Sequence, residues 1–304
     1  MQNKENKENA LKELFSSNLE FEYAVAKDVL PNIRRIVAPN PSPYTLYGTG
    51  TYIVGKGEVA VVDPGPNIKS HIEAILKITR SEKITHILVT HTHSDHSPAA
   101  NPLAKETGAI VMGYGPHGNF EGGEEGADYD FDPPHKVVDG EIIKGMDWNL
   151  ECIHTPGHTS NHICYNLLGT GAVFTGDHIM GWSTTVVSPP DGNMADYFRS
   201  LEKMFIRNDK FYIPTHGSII KNPKNFVKAL IGHRKMRESQ IKKYLEKEGK
   251  TSIIKLVERM YPKLDKRLVN AAGRSVLAHL FHMEDLGIVK CVEGTNNSSW
   301  DIVD

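Results

Sequence analysis

One seven-residue segment of the chain carries four side chains that can bind a metal ion. The segment reads THTHSDH and contains His91, His93, Asp95 and His96. It directly follows an apolar run, ITHILV, that predicts a buried strand. Alternate side chains of an extended chain share a face, so His91 and His93 could bind one cation, and the turn after them would direct Asp95 and His96 at a second. Imidazole and carboxylate are ligands of Zn2+, so the segment indicates a metal site. The alternative is a polar loop that is rich in histidine by chance.

Three further candidate ligands also follow apolar, strand-like runs. His158 lies in TPGHT, Asp177 in TGDH and His216 in PTHG, and each has a glycine beside it that lets the backbone turn sharply. Taken singly, each fits an ordinary turn or capping residue equally well. A metal site needs ligands from several loops, so the three together, in this order, indicate one site.

At this point the sequence resembles the metallo-β-lactamase-fold hydrolases. Their H-x-H-x-D-H motif matches the segment THTHSDH, and their later His, Asp and His match His158, Asp177 and His216. The resemblance covers roughly residues 20 to 220, with no ligand position missing. The flavodiiron oxidoreductases of the same superfamily carry Glu at the position of His93, so histidine there favours hydrolysis.

The resemblance implies two divalent metal ions as cofactors, Zn2+ first, with Mn2+ or Fe2+ as alternatives. In this hypothesis the first ion is bound by His91, His93 and His158, and the second by Asp95, His96 and His216. Asp177 would bridge the two ions with its two carboxylate oxygens. A bound cation can lower the pKa of water from 15.7 toward about 7, so a metal-bridging hydroxide would attack a carbonyl carbon or a phosphorus.

The candidate catalytic residues are Asp95, Asp63 and His162. Asp63, in VVDPG, matches an acidic residue that the resembling family places near the metals, and we expect it to orient a ligand histidine. His162 and His178 are candidates for proton transfer or for positioning, with ordinary packing as the alternative. Residues 181–185 offer hydroxyls and an aromatic ring that could contact substrate or simply pack.

Composition limits the class of protein. The 304 residues suffice for one large domain and a small one, and 39% hydrophobic with 24% charged residues is ordinary for a soluble globular protein. A net charge of −2 excludes strong attraction of the whole molecule to polyanions. No apolar run reaches the ~18 residues of a membrane span, and residues 1–13 have no apolar stretch of the kind expected in a secretory signal. The three cysteines show no C-x-x-C spacing, so we expect reduced thiols and a cytoplasmic location.

The predicted elements give an α+β fold class. A β-then-α rhythm occurs twice and suits the four-layer αβ/βα sandwich that the resemblance implies. Ser97 and Pro98 are typical of a helix start, which would place a positive helix end beside the site. The segment 113–135 is rich in glycine and acidic residues and predicts a mobile surface loop or lid, with His117 and His135 as surface histidines.

The C-terminal part changes in character. Two apolar-periodic helices, 253–260 and 268–286, precede two strands that could pair across residues 294–297, an arrangement that resembles a winged helix. The β-lactamase-like-protein-2 branch of the family carries such a domain. We therefore predict three parts: an N-terminal tail, a metallo-β-lactamase-fold domain and a winged-helix-like domain, at residues 1–18, 19–232 and 233–304.

The net charge of the C-terminal domain does not decide which partner it binds. From residue 233 onward the chain has 14 Lys and Arg against 10 Asp and Glu, a net charge of +4 that permits contact with nucleic acid without demanding it. The alternative is a domain that shapes the active-site groove or a dimer interface. The expected partners are a small-molecule or single-stranded RNA substrate and a second copy of the chain, with no membrane.

The expected function is hydrolysis of an ester, thioester, lactone, amide or phosphodiester bond. Single-stranded RNA is one candidate substrate, because the resembling branch includes endoribonucleases that cleave single-stranded RNA. The alternative is a non-catalytic module that binds nucleic acid or protein and holds a structural metal pair. Structural zinc is usually closed by four protein ligands, whereas seven ligands for two ions leave positions for water.

Overall fold

Two β-sheets packed face to face form the centre of the protein. The structure is a computed structural model that describes residues 14–292 and 299–303. The first sheet has seven strands in sequence order: β1 (Lys27–Leu30), β2 (Ile33–Val37), β3 (Gly50–Val54), β4 (Glu58–Val62), β5 (Lys83–Leu88), β6 (Ile110–Gly113) and β7 (His135–Lys136). Strands β1 to β4 pair antiparallel, and β4 to β7 pair parallel. The strand predicted before the metal motif is confirmed as β5.

The second sheet has five strands in the order β12-β11-β10-β9-β8. They are β8 (Ile142–Lys144), β9 (Asn149–His154), β10 (Ile163–Leu167), β11 (Ala172–Gly176) and β12 (Phe211–Pro214). All neighbours pair antiparallel except β11 and β12, which are parallel. Strands β10 and β11 form a hairpin across a turn that contains Gly169 and Gly171.

Alternating side chains divide the apolar residues of each strand between two cores. In β3, Tyr52 and Val54 face the second sheet, whereas Ile53 faces the helices on the outer side. The Tyr52 ring lies 5.4 Å from the Phe174 ring of the facing sheet, and its hydroxyl donates to the Pro214 carbonyl at 2.6 Å. The two sheets are therefore joined by apolar packing and by a buried hydrogen bond.

Helices cover the outer face of each sheet. The first sheet is covered by α1 (Lys69–Ile78) and α2 (Ala100–Thr107), and the second by α3 (Met194–Ile206) and α4 (Pro223–Glu248). Asn193 caps α3, because its side chain accepts a hydrogen bond from the backbone N–H of Asp196. The order helix, sheet, sheet, helix confirms the predicted α+β four-layer sandwich.

The predicted start of α2 at Ser97 and Pro98 is wrong. The helix begins at Ala100, and its N-cap, Ala99, makes no side-chain cap. The Ser97 hydroxyl instead donates to the Asp128 carboxylate and caps no N–H of the helix. The positive end of α2 therefore lies two residues, about half a turn, further along the chain than the sequence suggests.

A small C-terminal unit follows α4. It contains β13 (Thr251–Ser252), α5 (Ile253–Met260), a 3₁₀ turn (Lys266–Leu268), α6 (Val269–Asp285), β14 (Val289–Cys291) and β15 (Ser299–Ile302). The strands form a sheet in the order β13-β15-β14, and β14 pairs antiparallel with β15. This pairing confirms the winged-helix-like prediction, although the turn predicted at residues 294–297 lies outside the described residues, as does most of the predicted N-terminal tail.

Helix α4 packs against both the sandwich and the C-terminal unit. Its first half packs Phe226, Val227 and Leu230 against the second sheet, and its second half packs Ile241 and Leu245 into the C-terminal core. The predicted domain boundary at residues 232 and 233 lies inside this unbroken helix and stays a prediction. Within the described residues, no helix combines the length and apolar character needed to cross a lipid bilayer.

Candidate metal centre

The candidate ligands lie in loops that follow strands of both sheets. The motif loop of His91 to His96 follows β5, His158 follows β9, Asp177 follows β11, and His216 follows β12. The strand ends meet at one edge of the sandwich, so residues far apart in the chain come together there. Glycine makes two of these turns possible: Gly157 and Gly176 adopt φ of +135° and +49°.

A first group consists of the three imidazoles of His91, His93 and His158. The His93 Nδ1 atom lies 3.0 Å from the Nε2 atom of His91 and 3.0 Å from that of His158. All three rings thus converge on one point, as predicted for the first cation.

A second group consists of Asp95, His96 and His216. Oδ2 of Asp95 lies 3.3 Å from Nε2 of His96 and 3.1 Å from Nε2 of His216. The same Asp95 oxygen accepts a hydrogen bond of 3.0 Å from the Thr49 hydroxyl, which fixes the carboxylate.

Asp177 lies between the two groups. Its Oδ2 atom lies 3.8 Å from Nε2 of His158, in the first group. Its Oδ1 atom lies 3.6 Å from Nε2 of His96 and 3.4 Å from Nε2 of His216, in the second group. One carboxylate therefore presents one oxygen to each side, which is the arrangement that a bridging ligand requires.

The outer nitrogens of the ligand rings are held by oxygen atoms. Four rings point Nδ1 away from the site, at 2.6–3.1 Å from an oxygen atom. The partners are the Thr90 hydroxyl for His91, the Asp63 carboxylate for His96, the Val186 carbonyl for His158 and the Gly48 carbonyl for His216. His93 is oriented the other way, with Nδ1 toward the first group and Nε2 at 3.5 Å from Oε1 of Glu124. These partners assign the tautomer of each ring, and leave the inner nitrogen as an acceptor for a cation.

Asp63 is a completely buried carboxylate that supports the motif from behind. Oδ1 accepts the backbone N–H of Thr90 at 2.8 Å, and Oδ2 lies within 3.0 Å of the Thr90 and Thr215 hydroxyls and of Nδ1 of His96. It has φ of +50°, a left-handed conformation that Asp tolerates better than most residues. The structure thus places Asp63 where the sequence predicted it, against a ligand histidine.

His162 has no nitrogen that faces the site. Its Nδ1 lies 2.9 Å from the Thr155 hydroxyl, and its Nε2 accepts the backbone N–H groups of Asp177 and His178 at 3.2 Å. Burial holds its pKa well below the usual range, so the ring stays neutral. This geometry does not support the expected catalytic proton transfer; it favours the other alternative, in which His162 positions the backbone of Asp177.

His178 and the hydroxyl-rich segment after it are equally enclosed. His178 is completely buried, and burial lowers its pKa to about 3. The Thr185 hydroxyl donates to the carbonyls of Asp177 and His178 at 2.7 and 3.1 Å, so it serves loop packing. Trp182 packs beside Gly217, next to His216, with its indole N–H buried.

Charge differs between the two groups. Burial and the neighbouring ring of His96 hold the pKa of His91 well below its usual range. Burial alone would also lower the pKa of His96, but the carboxylates of Asp95 and Asp177 raise it well above its usual range. Burial raises the pKa of Asp177, yet His216 and His96 lower it to about 2. The first group thus holds a neutral ring at His91, whereas the ionised carboxylates of the second group favour the protonated ring of His96.

This donor set fits a pair of metal ions. Ligands about 2.0–2.1 Å from a tetrahedral zinc ion lie roughly 3.3 Å apart, and the separations above run from 3.0 to 3.8 Å. Nε2 of His96 and Oδ1 of Asp177 are buried and have no hydrogen-bond partner among the described residues. Unpartnered buried polar atoms are costly, and a cation between them would satisfy both.

The glycine-rich segment 113–135 packs against the metal motif. The backbone N–H of Ser94 donates to the Gly126 carbonyl at 2.7 Å, and that of Asp128 donates to the Thr92 carbonyl at 2.8 Å. The prediction of a surface histidine is wrong for His117, which is buried with Nδ1 at 2.8 Å from the Thr92 hydroxyl. His135 is exposed, as predicted, and the mobility of the segment stays a prediction.

Sequence reasoning missed Glu124 and its neighbours. Glu124 reaches His93 with one oxygen and lies 3.3 Å from Nε2 of His117 with the other. Together with Asp191, these side chains form a further group of potential metal ligands. The only local signal was a pair of glutamates flanked by glycines in an otherwise exposed segment. Neither periodicity nor motif spacing links it to the histidines.

Two family models match the chain. One is described as the Metallo-beta-lactamase superfamily and matches residues 44–216, and the other as the Beta-lactamase associated winged helix domain and matches residues 252–300. The first covers more than half of the chain and includes all seven candidate ligands.

Similar proteins come from several organisms. A beta-lactamase-like protein 2 homolog of Caenorhabditis elegans is 32% identical over 235 residues, 75% of this chain and 76% of that protein. A homolog in Drosophila melanogaster is 28% identical, covering 84% of this chain and 89% of that one. An atrochrysone carboxyl ACP thioesterase of Cryptosporiopsis sp. is 28% identical. The match covers 72% of this chain but only 65% of that protein's length.

Solved structures share the fold over nearly the whole chain. A beta-lactamase domain protein from Burkholderia ambifaria aligns with a TM-score of 0.80 at 18% identity, covering 94% of this chain and 96% of that one. A metallo-beta-lactamase family protein from Thermus thermophilus aligns with a TM-score of 0.75 at 20% identity, covering 90% and 100%. At these identities the likeness concerns the fold alone.

Proposed function

The chain belongs to the metallo-beta-lactamase superfamily, with the associated winged-helix domain, and we propose that it is a dinuclear metal-dependent hydrolase of acyl bonds, thioesters first. The observation that carries this proposal is the position of Asp177, with one carboxylate oxygen toward each of two groups of histidine ligands. His91, His93 and His158 would hold one cation, and Asp95, His96 and His216 the other.

The cations would supply the reactive chemistry. When bound, a pair of divalent ions lowers the pKa of water toward about 7 and stabilises negative charge that develops on a substrate oxygen. The residues present suit Zn2+ because imidazole nitrogen and carboxylate oxygen are its usual ligands, while Mn2+ and Fe2+ accept the same atoms.

The protein's own part is to orient the ligands and leave one side open. The side chains of Asp95, His93 and Asp177 are 22%, 17% and 13% exposed, whereas that of His96 is completely buried. Substrate would therefore enter from the side of Asp95, whose carboxylate is the group best placed to accept a proton. Asp63 and Thr49 hold the motif from the buried side and do not touch the substrate.

The charge of the rim supports an acyl substrate over RNA. The segment beside the motif carries Glu125, Asp130 and Asp132, all exposed, and the first 232 residues have 21 Lys and Arg against 27 Asp and Glu. A polyanion approaching this side meets like charge. The similarity to a protein named as an ACP thioesterase also supports a thioester.

The open side argues against a purely structural metal pair. Structural zinc ions are usually enclosed by four protein ligands, whereas the proposed ligands here number seven for two ions and three of them reach solvent. A non-catalytic binding module would not need this exposure.

A substrate panel tests the proposal. Zn2+-loaded protein would be assayed with an N-acetylcysteamine thioester, a lactone, a chromogenic β-lactam and a single-stranded RNA, at two salt concentrations. We expect thioester hydrolysis with little dependence on salt. His96→Ala should lose activity at least about 100-fold, because it removes a ligand of the second cation. His135→Ala serves as the control and should stay fully active, because this exposed histidine pairs with Glu141 and not with a proposed ligand.

Two results would overturn the proposal in different ways. RNA cleavage that falls steeply with salt, without thioester hydrolysis, would contradict the substrate class. Equal turnover by wild type and His96→Ala would contradict the dinuclear site itself.

A further inference from the structure

Glu124 is an acidic side chain outside the seven proposed ligands that reaches one of them. It lies in the segment 113–135, and its side chain is only 10% exposed. Oε1 lies 3.5 Å from Nε2 of His93, and Oε2 lies 3.3 Å from Nε2 of His117. The carboxylate therefore bridges two imidazoles, one of which is a proposed ligand of the first cation.

The other four ligand histidines show what such a contact does. Each holds its outer nitrogen against an oxygen atom from the strand-end loops or from Asp63 and turns its inner nitrogen to the site. His93 is the ring that is oriented the other way, and Glu124 places a carboxylate oxygen 3.5 Å from its outer nitrogen, Nε2. A carboxylate on the outer N–H fixes the tautomer and orientation of the ring and increases its basicity toward a metal.

We propose that Glu124 is a positioning residue of the first cation site, acting through His93, and that the segment 113–135 is a structural part of the metal centre. This inference rests on the proposed metal site. It assigns Glu124 a role in metal affinity and none in contacting substrate.

Glu124 is itself held in place. His117 is buried, and its Nδ1 lies 2.8 Å from the hydroxyl of Thr92, which lies between two ligands of the motif. The Asn161 amide donates to the same hydroxyl at 2.8 Å. The backbone N–H of Glu124 donates to the Tyr129 hydroxyl at 2.6 Å. The carboxylate of Glu124 is therefore tied to the motif loop through both of its imidazole partners.

A third cation held by His117, Glu124 and Asp191 is the competing interpretation of the same residues. Its geometry is weaker: Oδ2 of Asp191 lies 3.9 Å from Nε2 of His117 and already accepts the backbone N–H of Ser160 at 2.9 Å. The positioning role needs no movement of Asp191, so we favour it.

Metal titration of variants tests the inference. Zn2+ affinity would be measured by competition with a chelating dye, and Zn2+ content by elemental mass spectrometry, for wild type, Glu124→Gln and Glu124→Ala. We expect both variants to bind one of two zinc ions about 10–100-fold more weakly, the alanine variant more so, with the other ion unaffected. Glu125→Gln is the matched control: Glu125 is the next residue, its side chain is 90% exposed, and its substitution should change neither affinity.

The outcomes separate the inference from the proposed function. Wild-type affinity for both ions in Glu124→Ala would overturn the positioning role, and three ions in wild type with two in Glu124→Ala would replace it by the third-cation interpretation. A wild-type protein that binds no zinc would contradict the proposed function itself. Circular dichroism of the zinc-free variants controls for folding: an altered spectrum with the same affinities would also count against the role.

Discussion

At the scale of single residues, the orientation of the histidine rings defines the site. All five rings hold the outer nitrogen near an oxygen and leave the inner nitrogen for a cation. Asp63 is central to this arrangement, because Thr90, Thr215 and His96 all donate to its carboxylate. A change at Asp63 should therefore affect both folding and metal binding, although it touches neither proposed cation.

We predict that Asp63→Asn weakens zinc binding at the second site about 10–100-fold, because the amide cannot accept every donor that surrounds the carboxylate. An N–H group of the introduced amide would face another donor, which should also lower the free energy of unfolding by about 1–3 kcal/mol. Asparagine tolerates the left-handed backbone at this position, so the backbone is not expected to be a further source of loss. Dye competition and urea unfolding measure the two effects.

Asp209→Asn is the matched control for this prediction. The side chain of Asp209 is only 6% exposed and pairs with Arg207 at 2.8 Å. It precedes β12, whereas the ligand His216 follows that strand. It should lower stability without changing zinc affinity. Equal zinc affinity in Asp63→Asn and wild type would show that Asp63 supports the fold alone.

At the scale of elements, His158 is positioned by its loop, which lies directly against helix α3. Gly157 has φ of +135°, and a Cβ atom there would lie 2.4 Å from Cα and 2.5 Å from the backbone N of Tyr197 in α3. Backbone atoms of a packed helix cannot move away cheaply. The glycine therefore allows the ligand loop to rest directly on the helix.

We predict that Gly157→Ala lowers the free energy of unfolding by about 1–3 kcal/mol from this clash, in addition to backbone strain, and weakens the first zinc site by displacing His158. Gly169→Ala is the control: its φ is +82°, also unfavourable for alanine, but nothing lies within 4 Å of the added atom. Thermal unfolding and zinc titration should show a smaller loss of stability and unchanged zinc affinity in the control. The same loss in both variants would mean that φ strain alone matters.

Elements with a clear period or a local motif could be predicted from the sequence. The strands around the site alternate or run apolar, and the residues of THTHSDH are close in the chain, so their proximity needed little tertiary knowledge. The start of α2 could not be predicted, because the Ser97 hydroxyl bonds to Asp128, 31 positions later. His117 was misassigned for the same reason: its partners Thr92 and Asp191 are distant in sequence.

At the scale of the whole molecule, helix α4 connects the sandwich to the C-terminal unit. Helix α4 contributes Leu230 to the core of the sandwich and Leu245 to the C-terminal core, and Arg234 on the same helix donates to the Thr185 carbonyl, in the loop after Asp177. The C-terminal unit is thereby connected to the loops of the metal centre. Sequence patterns indicated both units, but a helix shared between them has no signature of its own.

Anomalous diffraction at the zinc absorption edge tests the central claim, that seven side chains hold two cations, most directly. Crystals of the zinc-loaded protein should show two peaks about 3.5–4 Å apart. One should lie about 2.0–2.2 Å from nitrogen atoms of His91, His93 and His158, and the other at similar distances from Asp95, His96 and His216, with Asp177 between them. A single peak, or peaks away from these side chains, would contradict the account.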